Sequence, residues 1–263
     1  MTQPFVNVAV QAARRAGDLT HRHLSRLDRI PITEKARHDY VSEVDRACEA
    51  EIVREIRRLY PNHAFLAEES GATGDSDHVW IIDPLDGTSN YLHGIPHYAI
   101  SIALQIKGRT EHAVVYDPVR EELFTASRGR GAVLNNQRLR VSPRKELSDS
   151  ILATALPFRK RDKLDTCMAV LGDVFSQVED IRRAGAASLD LAYVAAGRVD
   201  GYWEIGLQPW DVAAGALLVR EAGGVVQDFS GSDSVETSGT IIAAPFKLMT
   251  PLQRIINSHW RQD

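Results

Sequence analysis

Apolar residues near the start of the chain recur at three- and four-residue steps. Phe5, Ala9, Ala12, Ala16 and Leu19 give residues 5 to 25 the period of an amphipathic helix, with Arg14, Arg15 and Arg22 toward solvent. A second helix is predicted from Ser42 to Leu59, with Ile52, Ile56 and Leu59 as its apolar stripe and Pro61 just past its end. The two helices are expected to pack as one layer. The period then becomes strand-like at 78–82, 99–106, 112–116 and 122–126, with Gly, Pro and Asp-Pro between the runs. This pattern predicts an antiparallel sheet with short connections. Residues 107–110 (KGRT) and 117–120 (DPVR) read as its hairpin turns, because Gly permits positive φ and Pro118 pre-sets a turn dihedral.

From about residue 150 the order alternates. Residues 151–155 predict a strand, 163–178 a helix with Leu164, Met168, Leu171 and Phe175 as its apolar positions, and 188–196 a further helix. A strand at 199–204, a helix from Pro209 to Ala222 closed by Gly223 and Gly224, strands at 225–229 and 240–244, and a last helix complete an α/β layer. No internal repeat is visible.

The 263 residues fit one large domain, with subdomains at approximately 1–148 and 149–263. Apolar residues make up 44% and charged residues 25%, the balance of an ordinary globular protein. A formal charge of −4 argues against a global preference for nucleic acid or anionic membrane, so any such contact would be regional. No stretch approaches the roughly 18 uninterrupted apolar residues of a membrane span, and a cytoplasmic location is expected. Cys48 and Cys167 fall in predicted helices without metal-type spacing and read as reduced packing thiols.

The chemistry concentrates at 81–91, IIDPLDGTSNY. An apolar strand enters a turn carrying Asp83 and Asp86, followed by Gly87, Thr88, Ser89 and Asn90. Pro84 bends the chain, Gly87 allows close backbone approach, and consecutive amides after it form a candidate anion cradle. The loop is therefore suited to holding a cation and a phosphate together. Asp-Pro and Asp-Gly alone are commonly turn punctuation.

DPLDGTSNY matches at every defined position the signature D-P-[IL]-D-G-T-x-N-[FY], and here the chain resembles the inositol monophosphatase family. AEES at 67–70, VSEVD at 41–45 and PWDVAAGALLVREAGG at 209–224 agree, so the resemblance covers nearly the whole chain. It implies an α+β, five-layer αβαβα sandwich and a homodimer. It also implies that Glu68, Asp83, the Leu85 carbonyl, Asp86 and Asp211 ligate metal, and that Asp45 pairs with Thr88. Each residue has a plainer reading. Asp45 would form a capping box with Ser42, Asp211 would serve the helix macrodipole after Pro209, and Glu68 with Glu69 would end a strand in solvent.

Four carboxylates, Glu68, Asp83, Asp86 and Asp211, would repel a phosphate dianion unless cations neutralise them. Two divalent cations would cancel them and all-oxygen ligation points to Mg²⁺; the resemblance further implies a third, weaker site near Glu68. His93 and His97 are four apart, but Gly94 and Pro96 between them oppose a helical zinc pair, and they read as loop or core-edge residues. The implied mechanism is in-line displacement by a metal-activated water, with two cations about 3.5 to 4 Å apart. Thr88, oriented by Asp45, and Glu68 would assist that water, and the amides of Gly87 and Thr88 would hold the phosphate. Lithium sensitivity is a further family expectation.

Residues 182–206 are similar to the substrate region of these phosphatases. By that resemblance Glu204 would bond inositol hydroxyls, with Ala187, Asp86 and Asp211 also at the substrate. The plainer reading of Glu204 is a strand-end carboxylate in solvent. Family members commonly carry Ser or Thr after the glycine of this segment, whereas here Ala186 follows Gly185, so a hydroxyl near the substrate is missing.

Inositol 1-phosphate is the expected substrate, with 3′-phosphonucleotides or fructose bisphosphate as the rival within the same fold. A rival of another class is an interaction protein contacting RNA polymerase or an antitermination factor in ribosomal RNA transcription, since one bacterial family member has that accessory role. FRKRDK (158–163) and RGRG (128–131), with Arg138 and Arg140, are its candidate contacts, against a plainer reading as solvated loop charge.

Overall fold

The computed structural model describes residues 4–24, 32–36 and 39–260, the strands at 32–36 and 39–42 by their backbone alone. The first half runs α1 (Pro4–Leu24), β1 (Ile32–Ala36), β2 (Asp39–Ser42), α2 (Glu43–Leu59), β3 (Ala64–Ala67), β4 (Gly71–Thr73), β5 (His78–Asp86) and the short helix α3 (Thr88–Leu92). Strands β6 (Ala99–Ile106), β7 (Arg109–Asp117), β8 (Glu122–Ser127), β9 (Gly131–Leu134) and β10 (Gln137–Arg138) complete it. The second half runs β11 (Ile151–Thr154), α4 (Leu164–Phe175), β12 (Asp180–Arg182), α5 (Ala187–Ala195), β13 (Gly201–Ile205) and α6 (Pro209–Glu221). It ends with β14 (Val225–Gln227), α7 (Val235–Ser238), β15 (Thr240–Ala244) and α8 (Phe246–His259).

An eight-stranded sheet has the order β10-β9-β8-β7-β6-β5-β3-β4, and a five-stranded sheet the order β12-β11-β13-β15-β14. Period-two alternation sorts their side chains into three cores. Trp80, Ile82, Ile100, Ile102 and Leu104 pack under α1 and α2 with Ala12, Ala16, Ile52 and Ile56. Ile81, Ala99, Ala103 and Ala113 point the other way, against α5 and α6, which also cover Tyr202, Ile241 and Ala243 of the second sheet. Leu152, Trp203, Ile205, Ile242 and Ala244 on that sheet's far face meet α4 and α8 through Val170, Val174, Leu248, Leu252 and Ile256. The result is the helix, sheet, helix, sheet, helix sandwich expected. The alanines facing α5 and α6 let those helices approach the first sheet closely.

The two-residue turn at Lys107 and Gly108, both with positive φ, and the turn after Asp117 are the hairpins expected. The sheet is less uniformly antiparallel than the pattern predicts, because β3, a run of only four residues, pairs parallel to β5. Two apolar stripes need correction. Leu59 is 47% exposed at the end of α2. On α4 the predicted positions Leu164, Met168 and Phe175 are 44%, 47% and 59% exposed; the predicted Leu171 packs half-buried against the core beside the buried Val170 and Val174. The helix is apolar on both sides, so periodicity alone placed three of the four positions on the outer face. None of the described helices is long and apolar enough to cross a membrane. Cys48 is buried and Cys167 half-buried, both as free thiols on helices, and burial pushes both up from the ordinary thiol range.

Candidate active site

Asp83 and Asp86 stand three residues apart, a spacing that sends side chains to opposite faces of a regular strand. The strand is not regular there. Asp83 lies opposite Ser101 and Asp86 opposite Ala99, so three steps on β5 match two on β6. This bulge, at Pro84 with no amide to pair, turns both carboxylates to the face that meets α5 and α6. The sequence predicts a strand ending at 82. The observed strand runs to Asp86, and the irregularity within it is what brings the two groups together.

They open into a pocket of about 460 Å³, also lined by Glu68, Leu85, Gly87, Thr88, Ala187, Glu204 and Asp211. Every sequence-predicted site residue except Asp45 lines it. Asp45 stands behind, fully buried, and accepts a hydrogen bond from Thr88 Oγ1 at 2.8 Å; the same hydroxyl lies 3.0 Å from the Leu85 carbonyl. A capping carboxylate at a helix start has no need of such burial, so α2 delivers Asp45 to Thr88. Ser42, its proposed capping-box partner, has a side chain outside the described residues.

Gly87 has φ +94°, and a Cβ there would meet the His97 carbonyl at 3.0 Å. Only glycine fits both demands. Tyr91, closing the signature, donates to the Thr20 carbonyl on α1 and anchors the motif to the outer helix layer.

Asp83 is buried, its Oδ1 accepting the Leu85 amide at 3.0 Å. Burial, then the charges of Glu68, Asp86 and Asp211, hold its carboxyl well above the ordinary range. Asp86 is pushed to about 6, by burial first, against the donors of Ser188 and the Ala187 amide and with the Asp211 charge adding to the rise. Ser188 gives Asp86 Oδ2 both its amide, at 2.7 Å, and its hydroxyl. Asp211 Oδ2 takes Arg159 Nη1 at 2.9 Å and the Gln208 amide at 2.7 Å, so at the helix start, where the macrodipole reading placed it, it also closes a capping box with Gln208 and faces the pocket. Glu68 is half-buried rather than a solvated strand end, and its amide donates to the Ile82 carbonyl. Glu69 and Ser70 are held by amide donation to the buried Glu49.

Glu204 is buried, contrary to the solvent reading. Tyr202 donates to it, and burial pushes its carboxyl up to about 8. Behind it Asp190 is 3% exposed, with an Oδ2 that has no hydrogen-bond partner; burial, then Glu204 and Asp86, raise its carboxyl well above the usual range. His93 and His97 are loop residues, as read: His93 closes α3, and His97 is half-buried in the following loop.

Among the described residues, no three His, Cys, Asp or Glu side chains converge tightly enough to cage a metal ion. The reason is in the contacts: Asp83, Asp86 and Asp211 each direct an oxygen to a protein donor. The donor set nevertheless suits a hard divalent cation, being all oxygen, strongly negative and buried enough for its members to repel.

Sequence reasoning missed Ser188, Arg159, Asn90, Glu49 and Asp190. Asn90 was a signature position without a role; its Nδ2 donates to the carbonyls of His97 at 2.8 Å and Ala184 at 2.9 Å, tying the motif to the substrate segment. Glu49 lies four after Asp45 on the buried face of α2, a spacing that marks it in retrospect. Arg159, which the sequence offers within FRKRDK as a partner contact or as solvated loop charge, lines the pocket with Arg161. In RGRG, Glu221 receives the amides of Gly129 and Gly131, and Arg128 donates to the Thr110 carbonyl. That turn is partly consumed by structure.

The model of the inositol monophosphatase family matches residues 1–262. The chain is 55% identical over 263 residues to the Nus factor SuhB of Pseudomonas aeruginosa, covering 98% of this chain and 97% of that one. Among solved structures, the extragenic suppressor protein suhB of Bartonella henselae superposes with a TM-score of 0.94 at 45% identity, covering 97% and 98% of the two chains. The inositol monophosphatase of Anabaena gives 0.86 at 39% identity, covering 97% and 95%.

Proposed function

This chain belongs to the inositol monophosphatase family, and we propose that it hydrolyses a phosphate monoester with magnesium, inositol 1-phosphate being the substrate that the resemblance of residues 182–206 favours. The observation that carries the reading is the convergence of Glu68, Asp83, Asp86 and Asp211 in one pocket with Glu204 on its wall. Magnesium, when bound, supplies the neutralising charge and the Lewis acidity for attack by water and departure of the alkoxide.

Glu68, Asp83, the Leu85 carbonyl, Asp86 and Asp211 are the residues to hold it, two ions with a third, weaker site near Glu68. The chain's own part is otherwise positional. Thr88, its hydroxyl proton directed to Asp45, leaves its oxygen lone pairs to accept from the attacking water and orient it. The amides of Gly87 and Thr88 hold the phosphate, and the fixed backbone at Gly87 keeps them in place. Glu204, with Ala187 beside it, receives the polyol hydroxyls; as the protonated acid it donates one hydrogen bond, and as the carboxylate it accepts two.

Phosphate release from inositol 1-phosphate, 2′-AMP, 3′-phosphoadenosine 5′-phosphate and fructose 1,6-bisphosphate, with Mg²⁺ titrated and Asp86→Asn as control, tests the reading. Turnover fastest on inositol 1-phosphate and lost in the variant is expected. A nucleotide or bisphosphate preference would replace the substrate, and no turnover on any ester would overturn the reading.

A second role, in transcription, is supported by the name Nus factor carried by the 55% identical relative. Of its candidate contacts, Arg159 and Arg161 line the pocket, whereas Arg130 is exposed on the β8–β9 turn away from it. Co-purification with RNA polymerase by wild type and by Asp86→Asn alike is the expected result.

A further inference from the structure

Helix α5 starts without a cap of its own. Its N-cap is Ala186, in extended backbone, which offers no side-chain acceptor to the first-turn amides. The acceptor comes instead from 102 residues away: Asp86 Oδ2 takes the Ser188 amide, and the fully buried Ser188 hydroxyl donates to the same oxygen.

A Ser or Thr at 186, common in the family, would itself accept the amide of residue 188 or 189. In this chain the hydroxyl stands two positions later and acts as a donor. Asp86 thereby does two jobs at once, facing the pocket and capping the helix that carries Ala187 and Asp190.

We propose that Ser188 is a positioning residue for Asp86. Its two donors pin one carboxylate oxygen, so the other is presented to a cation in a single orientation, and cation binding is coupled to the order of the first turn of α5. The inference rests on the metal reading above. A charge-assisted pair of donors to one oxygen is the kind of support whose removal lowers metal affinity by about 10- to 100-fold.

Mn²⁺, counted by its free-ion paramagnetic signal, is the probe. Titrations of wild type, Ser188→Ala and Ser188→Thr are compared with amide exchange across 187–195 and with kcat and KM at saturating Mg²⁺. Ser188→Ala is expected to bind Mn²⁺ about 10-fold or more weakly. Its first-turn amides should exchange faster, and its kcat at saturating Mg²⁺ should stay within a few-fold of wild type. Ser188→Thr, which keeps the donor, should recover most of the affinity. A merely structural serine would lower melting temperature without this split between metal affinity and kcat. Ser188→Ala binding Mn²⁺ as tightly as a wild type that binds it and releases phosphate would overturn the inference alone. A wild type that binds no Mn²⁺ would overturn the metal reading together with it.

Discussion

The Thr88 hydroxyl lies 2.8 Å from Asp45 Oδ1, and Asp45 has no exposed surface. A carboxylate so placed fixes the direction of the hydroxyl proton. Thr88→Ala and Asp45→Asn should each lower kcat by roughly 10²- to 10⁴-fold with little change in KM, the signature of an interaction made in the transition state. Steady-state kinetics on whichever ester is turned over fastest will decide; a pure KM effect would move the pair to substrate binding.

The raised carboxyls of Asp83 and Asp86 tie stability to pH. A group whose folded pKa is raised binds its proton more tightly folded than unfolded, so the ion-free protein loses stability as pH rises above the ordinary carboxylate range. For Asp86 the window closes near its folded value of about 6. The gain in melting temperature from Mg²⁺ over EDTA should therefore be larger at pH 7.5 than at pH 5. An equal gain at both would mean that these carboxylates are not the ones the cation meets.

Glu204, pushed by burial to about 8, makes the same argument over a wider window. Its cost is absent near the unfolded carboxylate range, grows through neutral pH and is complete above 8. Glu204→Gln keeps an acceptor for Tyr202 and removes the buried charge. In urea unfolding it should be more stable than wild type at pH 8, by on the order of 1 to 3 kcal/mol, and near wild type at pH 5. The same variant should raise KM for inositol 1-phosphate.

Gly87→Ala places a methyl group 3.0 Å from the His97 carbonyl at a φ of +94°. It should cost about 1 to 3 kcal/mol and abolish most activity, since the strain falls on the phosphate loop itself. Ala at Gly108, where nothing lies within 4 Å, meets only the unfavourable φ and should leave kcat unchanged.

The two sides of α4 separate in a mutational test. Val174→Ala should destabilise by roughly 2 kcal/mol, whereas Met168→Gln and Phe175→Ser should stay within about 0.5 kcal/mol. Chemical denaturation of the three variants checks the assignment.

That helix marks where the sequence became hard to read. Strands β5 to β8 announce themselves by alternation and turn residues, and α6 by Pro209 and its closing glycines. Helix α4 carries apolar residues all round, and no period chooses between Phe175 and Val174. Strands of two to four residues, β3, β4, β10 and β12, are too short to show a period at all. At the site, Asp83, Asp86 and Thr88 were legible because they are contiguous. Arg159 and Ser188 were not, because their meaning comes from Asp211 and Asp86, 52 and 102 residues away. Even the Asp83 and Asp86 pair was legible only as proximity, since the bulge that gives them a common face depends on the register with β6.

Asn90 reaches from the signature to Ala184, a separation of 94 residues. On a ribosome this distance is time. When the first 150 residues have emerged, Glu68, Asp83 and Asp86 are present, but Asp211, Ser188 and the carbonyl that Asn90 awaits are not. Like charges crowd a half-made pocket with no helix to cap and no partner wall. Because Ser188 and Asp211 lie beyond residue 150, a chain ending there has only part of the pocket, and its carboxylates lack the walls that α5 and α6 supply.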